Sequence, residues 1–298
     1  MDMTPPKVGI VVLNYNGASC LSACLWSLRA QSYASFFVLV VDNHSTDDSF
    51  DQAKVQFPEY AYIKNERNLG FAAGMNRGIR EALAQGAQMV WLLNNDAEVM
   101  PECLARLVKI GQEGKSGLLS PIIVDEHNTP WFEKGIISYP RMRATHIAST
   151  EVERRTTAYE SEYLTGCALL IKNEVVEAIG YFDERFFLYY EDADYSLRAK
   201  KAGFRLLVVP GATVKHRELS RQSDTKLYYL VLSGLHFFHK HASWWQRVYL
   251  GAYVTIRKAK NCLDILLGRQ GSRSVRRAYN QFSHDRFTDH FPHFRQLP

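Results

Sequence analysis

An acidic and amide-rich segment follows one of the most apolar runs of the chain. The run VWLL at residues 90–93 leads directly into Asn94, Asn95, Asp96 and Glu98. Asp96 offers oxygen ligands for a hard cation such as Mg²⁺ or Mn²⁺, which usually bridges one or two carboxylates and the phosphates of a substrate. The two asparagines can contact a sugar or a ribose without adding charge. The alternative is an ordinary turn before Pro101, because Asn and Asp are common turn residues.

Two further polar segments could contact a nucleotide. In VVDNHSTD at 40–47, Asp42 can accept hydrogen bonds from a base or a ribose, while Asn43 and Ser45 suit a tight loop. In NLGFAAGMNRG at 68–78, the glycines permit close approach of the backbone to a ligand, and the amide end of the following helix favours a phosphate. The alternatives are an Asx turn in the first segment and glycine-spaced packing of a helix on a sheet in the second.

A third segment, FLYYEDADYSLR at 187–198, combines acids with aromatic rings. Glu191, Asp192 and Asp194 stand at a predicted helix start, where acidic residues are favoured for electrostatic reasons alone. Farther along, His216 ends the run VVPGATVKH and could be a metal ligand or a structural histidine. The aromatic residues that could stack on sugar rings beside the acids are Phe187, Tyr189, Tyr190 and Tyr195.

The elements that must position these residues follow a regular alternation. Apolar runs with strand character alternate with stretches of helical periodicity up to about residue 125. This pattern predicts an α/β fold with a mostly parallel sheet flanked by helices. Ligands of such sheets bind beyond the carboxyl ends of the strands, so the polar tips at 14–16, 42–45 and 94–96 should converge on one rim. We predict a long loop with some strand at 126–162 and helices across 224–268.

Taken in order, seven motifs resemble those of glycosyltransferase family 2, most of all its bacterial rhamnosyltransferase-like branch. They are VVLNYNG, VVDNHSTDDS, NLGFAAGMNRGI, LLNNDAEV, TGCALLI, GYFDERFFLYYEDADYSLRAKKAGF and VKH. The resemblance covers about residues 7–217 and continues more weakly through 227–241. It implies a GT-A fold, that is, a Rossmann-like sheet flanked by helices. It also implies inverting transfer of a sugar such as rhamnose from a dTDP- or UDP-linked donor to a saccharide acceptor in surface polysaccharide assembly.

The resemblance also assigns roles to single residues. Asp96 and His216 would hold a divalent cation, Mn²⁺ or Mg²⁺, and Asp192 would be the catalytic base. Asn94 stands where many family members have Asp, which makes this site less acidic. The acceptor would lie beside Thr165, Gly166, Tyr189 and Glu191. The donor would be bound by Asn14, Tyr15, Asn16, Asp42, Asn43, Ser45, Asn68, Gly70, Asn76, Asn94 and Asn95.

We expect two structural units. Residues 1–223 should form the GT-A domain, with a nucleotide-sugar half at about 1–125 and an acceptor and catalytic half at about 126–223. Residues 224–298 should form a helical extension. The polar segment 216–226 between them is predicted to close over the donor as a lid, with Arg221 as the residue that binds the diphosphate.

Composition and charge bear on the surroundings of the protein. The five cysteines are odd in number and contain no CxxC pair, and the amino terminus lacks the features of a signal peptide, so we expect a cytoplasmic protein. The net charge is +5, and the positive charge is concentrated at 240–277. This segment holds nine Lys and Arg residues and one acid, Asp264. This stretch is too interrupted by charges to span a bilayer, which needs about 20 mostly apolar residues.

We therefore predict peripheral docking on the inner face of the cell membrane, where a lipid-linked acceptor would be found, and no nucleic-acid partner. A helical hairpin or an oligomer interface is the alternative for the tail. The sequence speaks against two other functions. A nucleotidyltransferase would carry a glycine-rich loop with Arg and Lys after the first strand, and NYNGASCL has neither. A non-catalytic nucleotide-sugar-binding protein would not need Asp96, Asp192 and His216 together.

Overall fold

Apolar strands buried on both sides form the centre of the molecule. The computed structural model describes residues 4–148, 156–217 and 223–288, and within these ranges ten strands join one mixed sheet while two more form a hairpin. The strands are β1 (Val8–Asn14), β2 (Phe36–Asp42), β3 (Ala61–Lys64), β4 (Met89–Asn94), β5 (Ala97–Val99), β6 (Ser116–Val124), β7 (Pro130–Phe132), β8 (Lys134–Ser138), β9 (Arg143–Ile147), β10 (Tyr159–Glu160), β11 (Ala168–Lys172) and β12 (Arg205–His216). The helices are α1 (Leu21–Arg29), α2 (Ser49–Gln56), α3 (Gly70–Ala84), α4 (Cys103–Gly111), α5 (Asn173–Ile179), α6 (Glu191–Lys201), α7 (Asp224–His241), α8 (Trp244–Leu266) and α9 (Ser272–Thr288).

The sheet order is β10-β12-β6-β11-β4-β1-β2-β3, with β5 beside β12 and β7 beside β6. β4, β1, β2 and β3 run parallel to one another, as the alternation of strands and helices predicted. β11 enters antiparallel between β4 and β6, which the sequence analysis did not anticipate. The predicted long loop at 126–162 carries β7, the hairpin β8–β9 and β10 in its described part. The fold is therefore the predicted α/β arrangement with more antiparallel pairing.

Close packing of α3 on the sheet explains two of the glycines in the segment 68–78. A Cβ atom at Gly78 would lie 2.2 Å from Cγ1 of Val11, and one at Gly74 would lie 2.7 Å from Cδ1 of Leu13. β1 itself is buried along nearly its whole length, as expected for a parallel strand covered on both faces. The packing alternative thus accounts for Gly74 and Gly78.

Antiparallel pairing of β5 with the end of β12 joins two distant parts of the chain. Val99 lies opposite Val214, and Ala97 lies opposite His216. The backbone N–H of Arg217 donates to the carbonyl of Asp96 at 3.2 Å. Asp96 sits between the end of β4 and the start of β5, so this register places it beside His216.

The C-terminal helices share the hydrophobic core of the preceding residues. Tyr228, Leu232, Phe237 and Phe238 of α7 are buried in the same cluster as the sheet, so the predicted boundary at residue 223 separates elements that pack together. α9 packs on α7 with Phe282 fully buried. Within the described ranges, no helix has both the length and the apolar character that crossing a membrane requires. All five cysteines lie in described positions and are free thiols.

Alanine at Gly78 should destabilise the protein, whereas alanine at Gly251 should stabilise it. Both glycines lie within helices, but a Cβ at Gly251 meets no atom within 4 Å. Overpacking against Val11 should lower the free energy of unfolding of Gly78→Ala by about 1–3 kcal/mol. The greater helix propensity of alanine should raise that of Gly251→Ala by roughly 0.5–1 kcal/mol. Urea unfolding of both variants checks this, and an equal gain in stability would contradict the tight contact of α3.

Candidate active site

A cavity of about 520 Å³ opens where β4 and β12 end and α6 begins. Its walls contain residues from the strand ends, from the loop before β11, from the β8–β9 hairpin and from the first turns of α6 and α7. The residues predicted from sequence that line it are Asn94, Asp96, Thr165, Gly166, Tyr189, Glu191, Asp192 and His216. The predicted metal, base and acceptor residues therefore meet in one cavity.

Asp96 and His216 are mutually close and incompletely hydrogen-bonded. Nε2 of His216 lies 3.1 Å from Oδ1 of Asp96, in an arrangement that does not meet hydrogen-bond geometry. Among the described residues, neither Oδ1 of Asp96 nor Nδ1 of His216 has a hydrogen-bond partner, although both atoms are buried. Burial lowers the pKa of His216, but the neighbouring Cys167 and Asp96 together raise it to about 11. This corner of the cavity therefore favours positive charge.

The pair suits a divalent cation that also binds a substrate. Oδ1 of Asp96 has no hydrogen-bond partner among the described residues, and Nε2 of His216 lies 3.1 Å from it, so one cation that displaced the proton of His216 could contact both, and both are ligand types that Mn²⁺ accepts. In the described part of the chain, no cluster of three or more His, Cys, Asp or Glu side chains forms a complete metal site. The remaining ligands would have to come from water or from phosphate oxygens, as is usual for Mg²⁺-type sites.

The adjacent carboxyl groups of Glu191 and Asp192 begin α6 and line the cavity. They differ in their hydrogen bonds and in the shift of their pKa. Oδ2 of Asp192 accepts a hydrogen bond from the backbone N–H of Gly166 at 2.9 Å, and Oδ1 accepts one from Ala193 at 2.7 Å. Burial raises the pKa of Asp192, and these N–H groups oppose that effect. Glu191 is more deeply buried, and in the described part of the chain its Oε2 has no hydrogen-bond partner. Burial, together with the charge of Asp192, raises the pKa of Glu191 well above its usual range.

A sharp backbone corner aims these acids into the cavity. Tyr189 and Tyr190 both have left-handed backbone conformations, with φ of +69° and +66°. Such conformations are unfavourable for bulky residues and persist only when the surrounding structure holds them. α7 supplies that support, because Ser233 donates to the carbonyl of Leu188 at 2.8 Å and the ring of Tyr190 packs 5.2 Å from that of Phe237.

A buried ionic cluster holds the other side of α6. Asp194 is fully buried and contacts Arg198 at 2.9 Å, Lys240 at 2.5 Å and His241 at 2.7 Å. Burial alone would raise the pKa of Asp194, but these three side chains lower it below its usual value. Since Lys240 and His241 belong to α7, the cluster links the first turn of α6 to the end of α7.

The predicted donor residues on the rim form a hydrogen-bonded network. Nδ2 of Asn14 donates to Asp42 at 2.9 Å, to Ser45 at 3.2 Å and to Ser49 at 2.9 Å, and its Oδ1 accepts from Asn95 at 2.9 Å. Asn14 and Asp42 have no exposed surface. The three strand ends thus converge as predicted. The side chains of Asn14 and Asp42 shape the rim but are not accessible to a ligand.

The neighbouring loops are fixed in a similar way. Asn43 is buried and donates to Asn68 at 3.0 Å and to the carbonyl of Gly70 at 2.9 Å. Gly70 has a φ of +81°, and a Cβ there would lie 2.4 Å from the carbonyl oxygen of Phe187, so glycine is required at this contact. On the surface of the rim, Tyr15 is 48% exposed, and Asn16 accepts a hydrogen bond from the backbone of Thr46 at 2.8 Å.

Two further expectations need correction. Asn76 is buried and bonds to the backbone of Phe182 and to Glu184, so it ties α3 to the loop before α6 instead of contacting a donor. Tyr195 is fully buried with its ring 4.8 Å from that of Phe182, which excludes stacking on a sugar. Arg221 lies outside the described residues.

Several residues of the cavity were missed by the sequence analysis. The ring of Trp131 lies 4.9 Å from that of His216 and 4.4 Å from that of His146. The expectation for 126–162 was a long loop with some strand, but a tryptophan in this otherwise polar stretch is itself a signal of a binding role. The other missed wall residues include Phe71, Tyr163, Lys226 and Leu230. Arg217, by contrast, contacts Glu98 at 2.6 Å, beside Asp96 and His216.

Sequence comparisons match this chain to one family and to several named relatives. The model of the family described as Glycosyl transferase family 2 matches residues 9–180. The chain is 26% identical over 263 residues to the N-acetylglucosaminyl-diphospho-decaprenol L-rhamnosyltransferase of Mycobacterium tuberculosis, covering 80% of this chain and 86% of that protein. It is 24% identical over 207 residues to the dTDP-rhamnosyl transferase RfbF of Shigella flexneri, covering 69% of this chain and 67% of that protein.

A solved structure shows the same fold. GalNAc-T7 with UDP, GalNAc and Mn²⁺ matches with a TM-score of 0.67 at 18% identity, covering 98% of this chain and 59% of that chain. At this identity the likeness concerns the fold alone.

Replacing Asp194 by asparagine should destabilise the protein strongly. The change keeps the shape of the side chain but leaves Arg198, Lys240 and His241 without their common anion. Breaking a buried ion pair from one side costs about 3–5 kcal/mol, and chemical denaturation would measure the loss. Glu59→Gln is the matched control, because it removes an exposed partner of Arg29 and should hardly move the midpoint. Equal midpoints for both variants would show that the cluster does not hold α6.

Proposed function

This chain belongs to glycosyl transferase family 2 and is a rhamnosyltransferase-like glycosyltransferase with a GT-A fold, and we propose that its transfer reaction is inverting and depends on a divalent cation. The donor is a nucleoside-diphosphate sugar and the acceptor is a hydroxyl group of a saccharide. The observation that carries the proposal is the meeting of Asp96, His216 and Asp192 around one cavity.

The proposed donor is a dTDP- or UDP-linked sugar, with rhamnose as the first candidate. The names of the two relatives support rhamnose, and one of them also names dTDP. The relative from M. tuberculosis is named for a lipid-linked diphosphate acceptor. We extend this to a saccharide acceptor that is lipid-linked, in assembly of a surface polysaccharide. The reaction would then take place in the cytoplasm at the inner face of the cell membrane.

Asp96 and His216 are the residues that would hold the cation. When bound, a divalent cation stabilises the negative charge that develops on the departing nucleoside diphosphate. Lys226 lies on the wall of the same cavity and adds a positive charge on the side of α7. Asn94 and Asn95, at the end of β4, bring amide groups beside Asp96 without adding charge.

Asp192 accepts the proton of the acceptor hydroxyl. The acceptor oxygen forms a bond to the anomeric carbon while the bond from that carbon to the phosphate oxygen breaks, and the electron pair leaves with the nucleoside diphosphate. A single displacement of this kind inverts the anomeric configuration and needs one base, without a second carboxylate as nucleophile. The hydrogen bonds from Gly166 and Ala193 hold Asp192 in place for this step.

Glu191 serves the acceptor in a different way. With its pKa well above the usual range, Glu191 is the protonated member of the pair, and Asp192 carries the negative charge. A neutral carboxyl group can both donate and accept hydrogen bonds. Its Oε2 is buried in the wall of the cavity and lacks a partner in the described part of the chain, so an acceptor hydroxyl that reached it would satisfy its hydrogen bonding. Thr165, Gly166, Tyr189 and Trp131 complete the proposed acceptor side.

Asp96→Ala should abolish transfer and the response to metal. In the wild type, a nucleoside diphosphate and Mn²⁺ together should raise the melting temperature, because a ligand that binds the folded state stabilises it. The variant should lose the Mn²⁺-dependent part of this rise. Thermal melting with dTDP or UDP, with and without Mn²⁺, measures it and also ranks the two bases. Glu126→Ala, an exposed acid, serves as control, and an unchanged Mn²⁺ response in Asp96→Ala would remove Asp96 from the metal site.

Asp192→Asn should lower the turnover number roughly 10²–10⁴-fold, because the amide cannot take the proton, while donor binding is retained. Glu191→Gln should keep most of the activity, because glutamine replaces a neutral carboxyl that donates a hydrogen bond. In the wild type, kcat/KM should fall as the pH falls through the raised pKa of Asp192, which lies above the usual value of about 4. Initial rates of nucleoside diphosphate release across pH give all three results. An active Asp192→Asn beside an inactive Glu191→Gln would transfer the role of base to Glu191.

A further inference from the structure

The outward side of α8 is apolar along its whole length. The outer face of α8 consists of Trp245, Val248, Ala252, Ile256, Leu263 and Leu266, which recur every three, four or seven positions, that is, after one or two helical turns. All are exposed, and the five larger ones have 60–81% of their surface open to solvent. A helix of this length extends about 34 Å at 1.5 Å per residue. Apolar patches of this extent mark an interaction surface.

The opposite side of the helix is already occupied. Leu250, Val254 and Asn261 are buried on it, and α8 packs there on α9. A typical surface helix of a soluble protein also buries apolar residues, but its outward side is polar. The outward side of α8 is apolar. The burial of Leu250 and Val254 fixes the rotation of α8, so the outer face cannot turn inward without breaking this packing.

The segment that contains α8 is strongly basic. By helical spacing, Lys260 borders the outer face, whereas Arg247, Arg257 and Lys258 lie nearer the buried side, where Nζ of Lys258 donates to Ser283 of α9 at 2.7 Å. Across 240–277 the single acid is Asp264, which Arg269 contacts at 2.7 Å. A helix that exposes Trp and aliphatic residues on one side within such a basic segment is the form that lies in the surface of an anionic bilayer.

We propose that α8 docks through its outer face on an anionic lipid bilayer, lying parallel to the membrane plane. Apolar side chains would enter the acyl boundary, and the excess of Lys and Arg across 240–277 would bring positive charge to the headgroups, where each Lys or Arg near the surface gains from the negative potential. A second copy of this chain fits less well. Two outer faces packed together would bring two copies of this basic segment close to each other, each with a single acid against nine Lys and Arg residues.

The docked helix lies next to the cavity. Oη of Tyr249 donates to the carbonyl of Pro140 at 2.8 Å, in the turn of the β8–β9 hairpin. Ala144, Thr145 and His146 of the same hairpin line the cavity. On the proposed function, this places the acceptor side of the site beside the membrane, where the saccharide of a lipid-linked acceptor can enter while its lipid stays in the bilayer.

Sedimentation of the full chain with vesicles tests the docking without any assay of transfer. Vesicles of phosphatidylglycerol and phosphatidylcholine should retain the wild type at low salt, and vesicles of phosphatidylcholine alone should not. The double variant Ile256→Glu/Leu263→Glu should bind roughly tenfold less or weaker still, because it places two charges at the acyl boundary. Val55→Glu is the matched control, since Val55 of α2 is also 82% exposed and should not contact the bilayer. Arg247→Ser/Lys260→Ser should bind more weakly and depend less on salt.

Three results separate this proposal from the proposed function. The double variant should retain the wild-type melting temperature and its rise with dTDP or UDP and Mn²⁺, which shows an intact fold and donor site whatever the vesicles do. Equal vesicle binding by the double variant and the wild type would overturn the docking proposal. So would a lipid-free wild-type dimer in light scattering that the double variant converts to a monomer, because the outer face would then join two copies of the chain.

Discussion

The carboxylate of Asp194 is wholly buried, and Arg198, Lys240 and His241 all contact it. Burying one charge without partners would cost several kcal/mol, so the helices that carry these partners must stay together. This constraint docks α7 against α6 and supports the left-handed corner at Tyr189 and Tyr190. The corner in turn directs Glu191 and Asp192 into the cavity. The placement of the proposed base therefore depends on a helix that follows it by more than thirty residues.

α7 also positions the C-terminal helices α8 and α9. His236 of α7 contacts Asp285 of α9 at 3.0 Å in a buried pair, and α9 carries α8. Burial lowers the pKa of His236 to about 4, against the opposing effect of Asp285. The cavity, α7, α9 and the buried side of α8 thus form one continuous packed series. A membrane-docked α8 would hold the cavity at a fixed height and orientation above the bilayer.

Local patterns were sufficient to predict the parallel part of the sheet and its polar rim, but not the antiparallel entry of β11. Strand periodicity and the polar residues after each strand are properties of short segments, and a parallel sheet brings such ends together. The approach of Asp96 to His216 was expected only through the resemblance, because it depends on the register of β5 against β12 across more than one hundred residues. The burial of Asn14, Asp42 and Asn76 was not predictable from residue type, since an amide or carboxylate suits a ligand and an internal network equally well. The role of Trp131 depends on the β8–β9 hairpin, and the sequence did not show which side of α8 faces solvent.

The cavity is built from two parts that differ in how they are held. On the side of β1, β2 and β4, buried amides and one carboxylate link the strand ends through short internal hydrogen bonds. The residues of this part come early in the sequence, and these hydrogen bonds restrict the motion of its loops. On the other side, the wall consists of β7, the β8–β9 hairpin, the loop before β11 and the start of α7, which supply rings and aliphatic groups such as Trp131, Tyr163 and Leu230. Under the proposed function the first part serves the donor, and the second part serves the acceptor. Substitutions in the hairpin can then change the acceptor without disturbing the rim, because no hydrogen bond of the Asn14 network involves it.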